Sequence, residues 1–393
     1  MARNTAWNDF FASRRAGLEQ RSQFREIPPV DRGAELYIEH GGRRLLNLAS
    51  NNYLGLAGAP ELRDGAIRAV QEYGASSGAS RLVTGNYALY DQLDREIAAF
   101  KEQEDAVCLG SGYAANLCVL SSLADRNTVV FSDRLNHASI VDGILLSRAE
   151  HVRYRHNDLD HLAALLSKHA DVPRKLVVTD TVFSMDGDVA DLEALLPLCR
   201  DHGALLVLDE AHATGVLGRG RGLAHALGLQ DEVDVHMGTF SKALGSYGAF
   251  IAARRDIVDG VRNFGRAFIF STSLPPAVVG ASLAALAVVR GDHSRSERLM
   301  LLTSQLRGVL RRLGFDIGSS STQIIPILLG GNEVALAARD FLMDQGVFAP
   351  AIRPPTVPEG SARLRLSLRA DLEEEDMALL CAGLEALAAQ GGP

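Results

Sequence analysis

The chain has 393 residues, 47% of them hydrophobic and 22% charged, which is typical of a globular protein large enough to form a large domain and a smaller one. Its formal net charge of −8 argues against a general nucleic-acid binder. The longest apolar segment, residues 277–289, is too short to cross a bilayer, and the amino terminus lacks the apolar core of a signal peptide, so we expect neither nucleic acid nor a membrane among its partners.

The first 50 residues predict an arm made of a helix and a hairpin. Aromatic residues at helical spacing, beginning with Trp7 and Phe10, predict an amphipathic helix within residues 5–24. Short apolar segments at 36–38 and 45–48, separated by a glycine turn, predict the hairpin. We expect this arm, residues 1–50, to precede the main body of the protein.

Residues 51–289 predict a large α/β domain, because short apolar segments alternate with helical ones. The segment at 205–208 lacks polar alternation, which predicts a strand buried on both faces of a parallel sheet, and the strand–helix alternation predicts right-handed crossovers. The predicted strands cover residues 106–109, 128–131, 151–154, 175–179, 205–208, 233–237 and 247–251. A change of pattern near residue 290 predicts a smaller α+β domain over residues 290–393.

The residues that follow two of these strands are candidates for a cofactor-binding and catalytic site. Asp209 and His212 follow the strand at 205–208, at the edge of a parallel sheet where ligands bind. Lys242 follows Thr239 and Ser241 after the next strand. A lysine can condense with the aldehyde of pyridoxal phosphate (PLP), which also needs an acidic partner for its pyridine nitrogen and hydroxyls for its phosphate. Either residue alone would more simply be a helix cap or a surface lysine, but the combination favours a PLP site.

A glycine turn at residues 110–113 offers a second phosphate contact. It joins the strand at 106–109 to a helix, and the first N–H groups of a helix attract anions. Ser111, Gly112 and Tyr113 are therefore candidate phosphate contacts, although a plain tight turn explains the same letters.

Together, LDEAHATGV and GTFSKALG resemble the α-oxoamine synthases, fold-type I PLP enzymes that condense an amino acid with an acyl thioester and release carbon dioxide. The segments NHAS, VFSMDGD and STSLPP also match this family. The resemblance implies a fold-type I PLP-dependent transferase, active as a homodimer in the cytoplasm, with Lys242, His137 and Asp209 as catalytic residues. The implied cofactor contacts are Lys242, Gly112, Tyr113, His137, Ser184, Asp209, His212, Thr239 and Thr272.

The resemblance also gives these residues roles. His137 would stack on the cofactor ring, His212 would bind its phenolic oxygen, and Thr272 would reach the phosphate in a partner subunit. Lys242 would hold the cofactor and then remove a proton from the substrate. Tyr90 departs from the family pattern, in which histidine is common at this position, so the local geometry there is open.

The substrate is suggested by residues 351–358, AIRPPTVP, ahead of ARLRLSL. This form resembles the 8-amino-7-oxononanoate synthases, which join L-alanine to a pimeloyl thioester carried by coenzyme A or acyl carrier protein in biotin biosynthesis. The implied substrate contacts are Arg21, His137, Thr356, Arg353 and Arg365. Solvent-exposed arginines on a helix, for Arg21, or on a strand, for Arg363 and Arg365, are the alternative interpretation.

Other functions remain open at this point. Synthases of the same family that use glycine or serine, of the glycine C-acetyltransferase or serine palmitoyltransferase type, share most of these motifs. An aminotransferase and a non-catalytic binding protein of the same fold are less favoured. Because the thioester carrier is anionic, Arg262 and Arg266, at i and i+4 of one helix, form a hypothetical docking patch together with Arg254 and Arg255.

The four cysteines, Cys108, Cys118, Cys199 and Cys381, lack CxxC spacing and lie in apolar surroundings. We expect buried free thiols, as in a reducing cytoplasm, rather than disulfides or ligands of a metal.

Overall fold

The computed structural model describes residues 5–390, which divide into two compact units. One unit, here the cofactor unit, contains residues 51–184 and 188–300. The other, the terminal unit, contains the described residues up to Ser50, the segment Met185–Gly187 and the described residues from Leu301 onward.

The α-helices of the described residues are α1 Thr5–Gln20, α2 Pro60–Tyr73, α3 Ala88–Phe100, α4 Gly112–Leu123, α5 Ala138–Ser147, α6 Leu159–Lys168, α7 Leu192–Asp201, α8 Leu223–Ala226, α9 Arg255–Phe264, α10 Arg266–Ile269, α11 Pro276–Gly291, α12 Ser294–Arg312, α13 Asn332–Asp344 and α14 Glu374–Ala389. The β-strands are β1 Tyr37–His40, β2 Arg43–Asn47, β3 Asp105–Leu109, β4 Val129–Asp133, β5 Glu150–Tyr154, β6 Lys175–Asp180, β7 Ala204–Asp209, β8 Val235–Thr239, β9 Ala249–Ala253, β10 Ile324–Gly330, β11 Val347–Phe348, β12 Ala351–Ile352 and β13 Ala362–Ser367.

The cofactor unit is built on a seven-stranded sheet in the order β3-β9-β8-β7-β6-β4-β5. The β7–β8, β6–β7, β4–β6 and β4–β5 pairs are parallel, which confirms a mainly parallel α/β sheet. β9 pairs antiparallel with both β3 and β8. Its reversal follows from the short 240–248 connection, because a parallel return needs a crossover of a dozen residues or more.

The core of this unit lies between the sheet and its helices. Val107, Val178 and Val207 on the strands pack with Ala115 and Val119 of α4 in one buried cluster. Fully buried strands need an apolar layer on each face, which explains why their sequences lack alternation. This rigid sheet fixes the positions of the loops that follow its strands.

Helices α2 and α11 pack closely in the cofactor unit. A Cβ atom on Gly65 would lie 2.6 Å from the carbonyl oxygen of Gly280, and one on Gly280 would lie 2.3 Å from that of Gly65. Two glycines therefore permit a backbone contact that any side chain would prevent. Residues 277–289, the longest apolar segment, belong to α11, and among residues 5–390 no helix combines the length and apolarity that a membrane span requires.

The terminal unit contains two small sheets, β1-β2-β11 and β10-β13-β12. β2 pairs antiparallel with β1, as expected for a hairpin, and parallel with β11. This pairing joins the hairpin to the carboxyl-terminal segment, so contacts group the predicted arm with the chain after residue 300. The boundaries predicted at residues 51 and 290 remain a prediction, and residues 1–4 and 391–393 of the outer segments lie outside the described residues.

Strand β13 is buried along its whole length. Arg363 is 4% exposed and Arg365 is 5% exposed, so the interpretation of both as arginines on an exposed strand face is wrong. Arg363 donates to Asp186 Oδ1 at 2.6 Å, and Arg365 donates to Ser367 Oγ at 2.6 Å. These polar partners within the same unit explain how two guanidinium groups can be buried.

The four cysteines are free, as predicted. Cys108, Cys118 and Cys199 are also buried as predicted, whereas Cys381 is only half-buried. Burial raises the pKa of Cys118 to about 11 and that of Cys199 to about 12. Both side chains are therefore packing groups rather than nucleophiles.

Candidate active site

Asp209 is the last residue of β7 and is 5% exposed. Its Oδ1 accepts a hydrogen bond from the Ala211 N–H at 2.9 Å, and its Oδ2 accepts one from Asn116 Nδ2 at 2.8 Å. Asp180, the last residue of β6, is its register partner across the parallel pair. Burial, followed by the charge of Asp209, raises the pKa of Asp180 well above its usual range.

His137 caps the amino terminus of α5. Its backbone N–H donates to Asp180 Oδ2 at 2.9 Å, and its Nδ1 lies 2.7 Å from Ser139 Oγ. Burial lowers the pKa of His137; the nearby charge of Asp209 opposes this effect and that of Lys242 adds to it. His137, Asp209 and Lys242 are thus close enough to interact electrostatically, as the sequence predicts for one site.

The amino terminus of α4 lies against the end of β8. Ser111 caps the helix by accepting from the Ala114 N–H at 3.1 Å, which leaves the N–H groups of Gly112 and Tyr113 at the helix start, where no intrahelical carbonyl is available. A Cβ atom on Gly112 would lie 2.8 Å from Thr239 Cγ2. The absence of a side chain at Gly112 therefore lets the helix start pack directly against the Thr239 side chain, whose hydroxyl faces the Ala211 carbonyl at 3.5 Å.

Lys242 is half-buried in the loop between β8 and β9. The sequence contains three other lysines, each in a different setting. Lys101 is fully buried against Glu210, Lys175 is buried and donates to the Val172 carbonyl at 2.7 Å, and Lys168 is exposed at the end of α6. The charge of Lys242 acts to lower the pKa of His137 and that of Asp180, which places its amine near both side chains.

The remaining cofactor candidates lie on neighbouring loops of the cofactor unit. His212 is buried, and its Nδ1 lies 2.7 Å from the Tyr53 hydroxyl. Ser184 is half-buried on the loop after Thr181, whose N–H donates to the Asp209 carbonyl at 2.9 Å. Thr272 is exposed in the loop before α11. Their roles toward the cofactor remain predictions.

That last loop, residues 271–275, is held by buried groups. The Ser77 hydroxyl donates to the Ser273 carbonyl at 3.0 Å, and the hydroxyl of Tyr90 donates to the Leu274 carbonyl. Tyr90 is fully buried. The sequence left open how a tyrosine fits at this position, where histidine is common in the family. In the structure, the Tyr90 hydroxyl is accommodated by its hydrogen bond to the 271–275 loop.

Three substrate candidates lie together within the terminal unit. Arg353 donates to the carbonyl of Ser22, next to Arg21. Thr356 accepts from Arg25 at 3.2 Å. The 351–358 loop thus contacts the segment after α1, and Arg21 and Thr356 are both exposed there. Arg365 is buried in β13, as described above.

The prediction that Arg262 and Arg266 form a docking patch on one helix is wrong. α9 ends at Phe264 and α10 begins at Arg266, so Arg262 and Arg266 lie on different helices. Arg262 binds both oxygens of Asp105, at 2.6 and 3.0 Å, which neutralises it as a docking charge. The exposed Arg254 is likewise paired with Asp256.

Sequence reasoning missed three residues that contact the predicted ones: Asn116, Ser139 and Asp180. Asp180 carried the same signal as Asp209, a charge at the end of an apolar strand. Ser139 lies two residues after His137 in the NHAS segment, a spacing that allows a short-range hydrogen bond. Asn116 carried no signal, because its contact with Asp209 depends on how α4 packs on the sheet.

The donor set fits pyridoxal phosphate. Asp209 supplies a buried carboxylate for a pyridinium nitrogen, His137 supplies a planar ring, and Lys242 supplies a primary amine. The start of α4 offers backbone N–H groups to a phosphate, and Thr239, which packs against it, carries a hydroxyl. The chemistry of these groups therefore matches each part of the cofactor.

Comparison with known proteins agrees with this assignment. The family profile described as aminotransferase class I and II matches residues 43–384. Relatives from Bacillus cereus strains Q1 and ATCC 10987, provisionally named 8-amino-7-oxononanoate synthase, are each 49% identical over 93% of both chains. The chain belongs to the α-oxoamine synthases of the class I and II aminotransferase family. It is therefore a PLP-dependent acyltransferase-like enzyme.

Solved structures show the same fold. A serine palmitoyltransferase from S. paucimobilis, solved with bound PLP and myriocin, has a TM-score of 0.92 and 29% identity, and covers 99% of each chain. An 8-amino-7-oxononanoate synthase from Francisella tularensis has a TM-score of 0.75 and 25% identity over 88% of this chain and 98% of that one. Both support the fold-type I architecture predicted from the sequence.

Proposed function

We propose that the enzyme catalyses the decarboxylative condensation of L-alanine with a pimeloyl thioester. The products are 8-amino-7-oxononanoate, carbon dioxide and the free thiol carrier, in biotin biosynthesis. The observation that carries this proposal is the 49% identity, over 93% of both chains, to relatives that bear this name provisionally. The AIRPPTVP loop at residues 351–358 supports the same choice. The carrier is coenzyme A or acyl carrier protein, and the enzyme acts as a cytoplasmic homodimer.

The residues of the cofactor unit have distinct tasks in this proposal. When bound, PLP withdraws electrons from the α-carbon of the amino acid. Asp209 would hold a proton on the pyridine nitrogen, and His137 would pack on the ring. Gly112, Tyr113 and Thr239 would bind the phosphate.

Lys242 is the proposed base. Its amine would hold the cofactor before the substrate arrives and would then remove the α-proton of alanine. The α-carbon would form a bond to the thioester carbonyl carbon, and the thiol would leave with the electron pair of the broken carbon–sulfur bond. Loss of the carboxylate as carbon dioxide would leave an electron pair on the α-carbon, which would take a proton from protonated Lys242. His212 would bind the phenolic oxygen, Ser184 would contact the cofactor, and Thr272 would reach the phosphate in the partner subunit.

Arg21, Arg353, Arg365 and Thr356 are the proposed substrate contacts. Planar guanidinium groups suit a carboxylate, which alanine and the pimeloyl chain both carry. The contacts of Arg353 with Ser22 and of Thr356 with Arg25 give these side chains a common support in the terminal unit. Which arginine binds which carboxylate stays open between Arg353 and Arg365.

A serine-using synthase is the second candidate. The TM-score of 0.92 with a serine palmitoyltransferase favours it, whereas the identity of 29% to that protein is lower than the 49% to the Bacillus relatives. Sequence identity follows substrate choice more directly than backbone shape does. We therefore rank the alanine reaction first.

Mass spectrometry of the products separates these functions. The enzyme is incubated with pimeloyl-coenzyme A and one amino acid at a time: L-alanine, glycine or L-serine. We expect 8-amino-7-oxononanoate from alanine, and little product from the other two. A product from serine or glycine in place of alanine would refute the substrate assignment but keep the family.

A further inference from the structure

Two buried residues connect Asp209 to His137 in the cofactor unit. Asn116 Nδ2 lies 2.8 Å from Asp209 Oδ2 and 2.9 Å from Ser139 Oγ. Ser139 Oγ in turn lies 2.7 Å from His137 Nδ1. Asn116 is 1% exposed and Ser139 is fully buried, so bulk water does not compete for these hydrogen bonds.

The direction of each bond follows from the chemistry of the groups. The amide nitrogen of Asn116 has two hydrogens, and it faces two oxygens, one on Asp209 and one on Ser139. The opposite amide orientation would place a carbonyl oxygen against a carboxylate oxygen. Asn116 Oδ1 has no hydrogen-bond partner among the described residues, so the two N–H bonds alone determine this orientation.

Ser139 therefore accepts from Asn116 and has its own hydroxyl hydrogen left to donate. The nearest acceptor for it in this group is His137 Nδ1. The backbone N–H of Ser139 also points at the same nitrogen, at 3.3 Å. With two donors directed at it, Nδ1 must present its lone pair, and the hydrogen of a neutral ring must be on Nε2.

We propose that Asn116 and Ser139 are positioning residues that hold His137 in the neutral form with its hydrogen on Nε2 and connect this form to Asp209. The ring then presents an N–H donor, rather than a lone pair, at its free edge. The two bonds to Nδ1, at 2.7 and 3.3 Å, also restrict rotation of the ring. One hydrogen-bonded chain thus orients the ring-stacking histidine and the carboxylate partner of the cofactor together.

The tautomer of His137 can be read directly. Long-range ¹⁵N–¹H spectra of the holoenzyme, labelled with ¹⁵N-histidine, show which ring nitrogen carries the hydrogen, and the His137 signals are identified by their loss in a His137→Asn variant. We expect the hydrogen on Nε2 in the wild-type enzyme. In Ser139→Ala, which removes the hydroxyl donor, we expect a measurable shift of hydrogen towards Nδ1.

The matched variant is Ser139→Thr, which keeps the hydroxyl and should restore the wild-type spectrum. Asn116→Ala should shift the tautomer in the same direction as Ser139→Ala, because the Ser139 hydroxyl is then free to turn. We expect kcat to fall about tenfold in both alanine variants and to return to within about twofold in Ser139→Thr.

Urea unfolding of each variant shows whether a loss of kcat comes from lower stability of the fold rather than from a misplaced His137 ring. A hydrogen on Nδ1 in the wild-type enzyme would overturn the proposal. So would an unchanged tautomer in Ser139→Ala and Asn116→Ala, whatever their activity, because the two residues would then be structural only.

Discussion

Gly112 and Thr239 lie so close together that a side chain added at Gly112 would collide with the Thr239 methyl group. A Cβ atom on Gly112 would lie 2.8 Å from Thr239 Cγ2, below the distance that carbon atoms tolerate. Gly110 lies two residues earlier. A Cβ atom added to it would have no neighbouring heavy atom within 4 Å. The two glycines of this turn therefore have different roles, although the sequence presents them alike.

We predict that Gly112→Ala weakens PLP binding about tenfold or more, because the added methyl group pushes Thr239 away from the helix start. Replacing Thr239 with serine removes Cγ2 and keeps the hydroxyl, so Gly112→Ala/Thr239→Ser should recover most of the affinity. The dissociation constant of PLP from the apoenzyme, measured by absorbance titration, gives the comparison.

Gly110→Ala is the control and should bind PLP like the wild-type enzyme. If Gly112→Ala bound as tightly as wild type, or if adding Thr239→Ser brought no recovery, the contact would not shape the phosphate site.

For individual residues, the sequence allowed a functional role to be predicted where the residue type and its position after a strand both suggest one. Asp209 and Lys242 follow apolar strands, and His137 lies in a family segment. Asn116 could not be found in this way, because a neutral amide acquires a role only through the atoms it contacts. Its contacts with Asp209 and Ser139 depend on packing between α4, α5 and β7.

At the scale of secondary-structure elements, His156 links the end of β4 to the loop that follows β6 in the cofactor unit. Its Nδ1 lies 3.0 Å from Asp133 Oδ1 and its Nε2 lies 2.8 Å from Asp188 Oδ2. Its ring also contacts Phe183 edge to face, with centroids 4.4 Å apart. This bridge supports the loop that carries Ser184.

The pKa of His156 makes this support dependent on pH. Burial alone would lower the pKa, but hydrogen bonds to Asp133 and Asp188 outweigh it and raise the pKa from 6.5 to about 10. A folded-state pKa above the unfolded value means that the stabilisation is complete below about pH 6.5 and is lost as the pH rises towards 10.

We predict that His156→Gln lowers the free energy of unfolding by about 3 kcal/mol near pH 6, and that the difference from wild type shrinks as the pH approaches 10. Urea unfolding of both proteins at about pH 6, 8 and 9.5 measures it. His202→Gln is the control, since His202 at the end of α7 makes no ion pair among the described residues. A difference that stayed constant over this range would contradict the bridge.

Secondary-structure elements could be predicted where a hydrophobic pattern determines them. Features that depend on how the chain connects one element to the next could not. Strands such as β6, β7 and β8 were predicted because buried strands lack polar alternation, whereas the edge strand β5 has exposed and half-buried residues. The reversed direction of β9 was not, since an apolar segment has no direction of its own; the length of the 240–248 connection contained that information. The break between α9 and α10 at Gly265 was missed for a related reason, because charge spacing alone was used to place Arg262 and Arg266 on one helix.

At the scale of the whole molecule, the proposed homodimer can be tested through Thr272. If Thr272 contacts the phosphate in the partner subunit, then Lys242→Ala and Thr272→Glu damage different halves of one site. Each homodimer should be nearly inactive, the second because a carboxylate repels the phosphate. A mixed dimer keeps one intact site of two, so we predict that it recovers about half of the wild-type activity.

The two variants are co-expressed with different tags and the mixed species is purified on both. Activity no higher than that of either parent, or a monomer by analytical ultracentrifugation, would rule out this arrangement.

The central claim is that Lys242 and its neighbours couple the loss of carbon dioxide from alanine to acyl transfer from a thioester. The most direct test is to follow ¹³CO₂ release from alanine labelled with ¹³C in its carboxyl group, by membrane-inlet mass spectrometry, while free thiol is measured in the same sample. We predict equal amounts of ¹³CO₂ and thiol, only when pimeloyl thioester is present, and neither in Lys242→Ala, with Lys168→Ala unaffected. Thiol release without ¹³CO₂, or conversion of alanine to pyruvate with its label retained, would contradict the account.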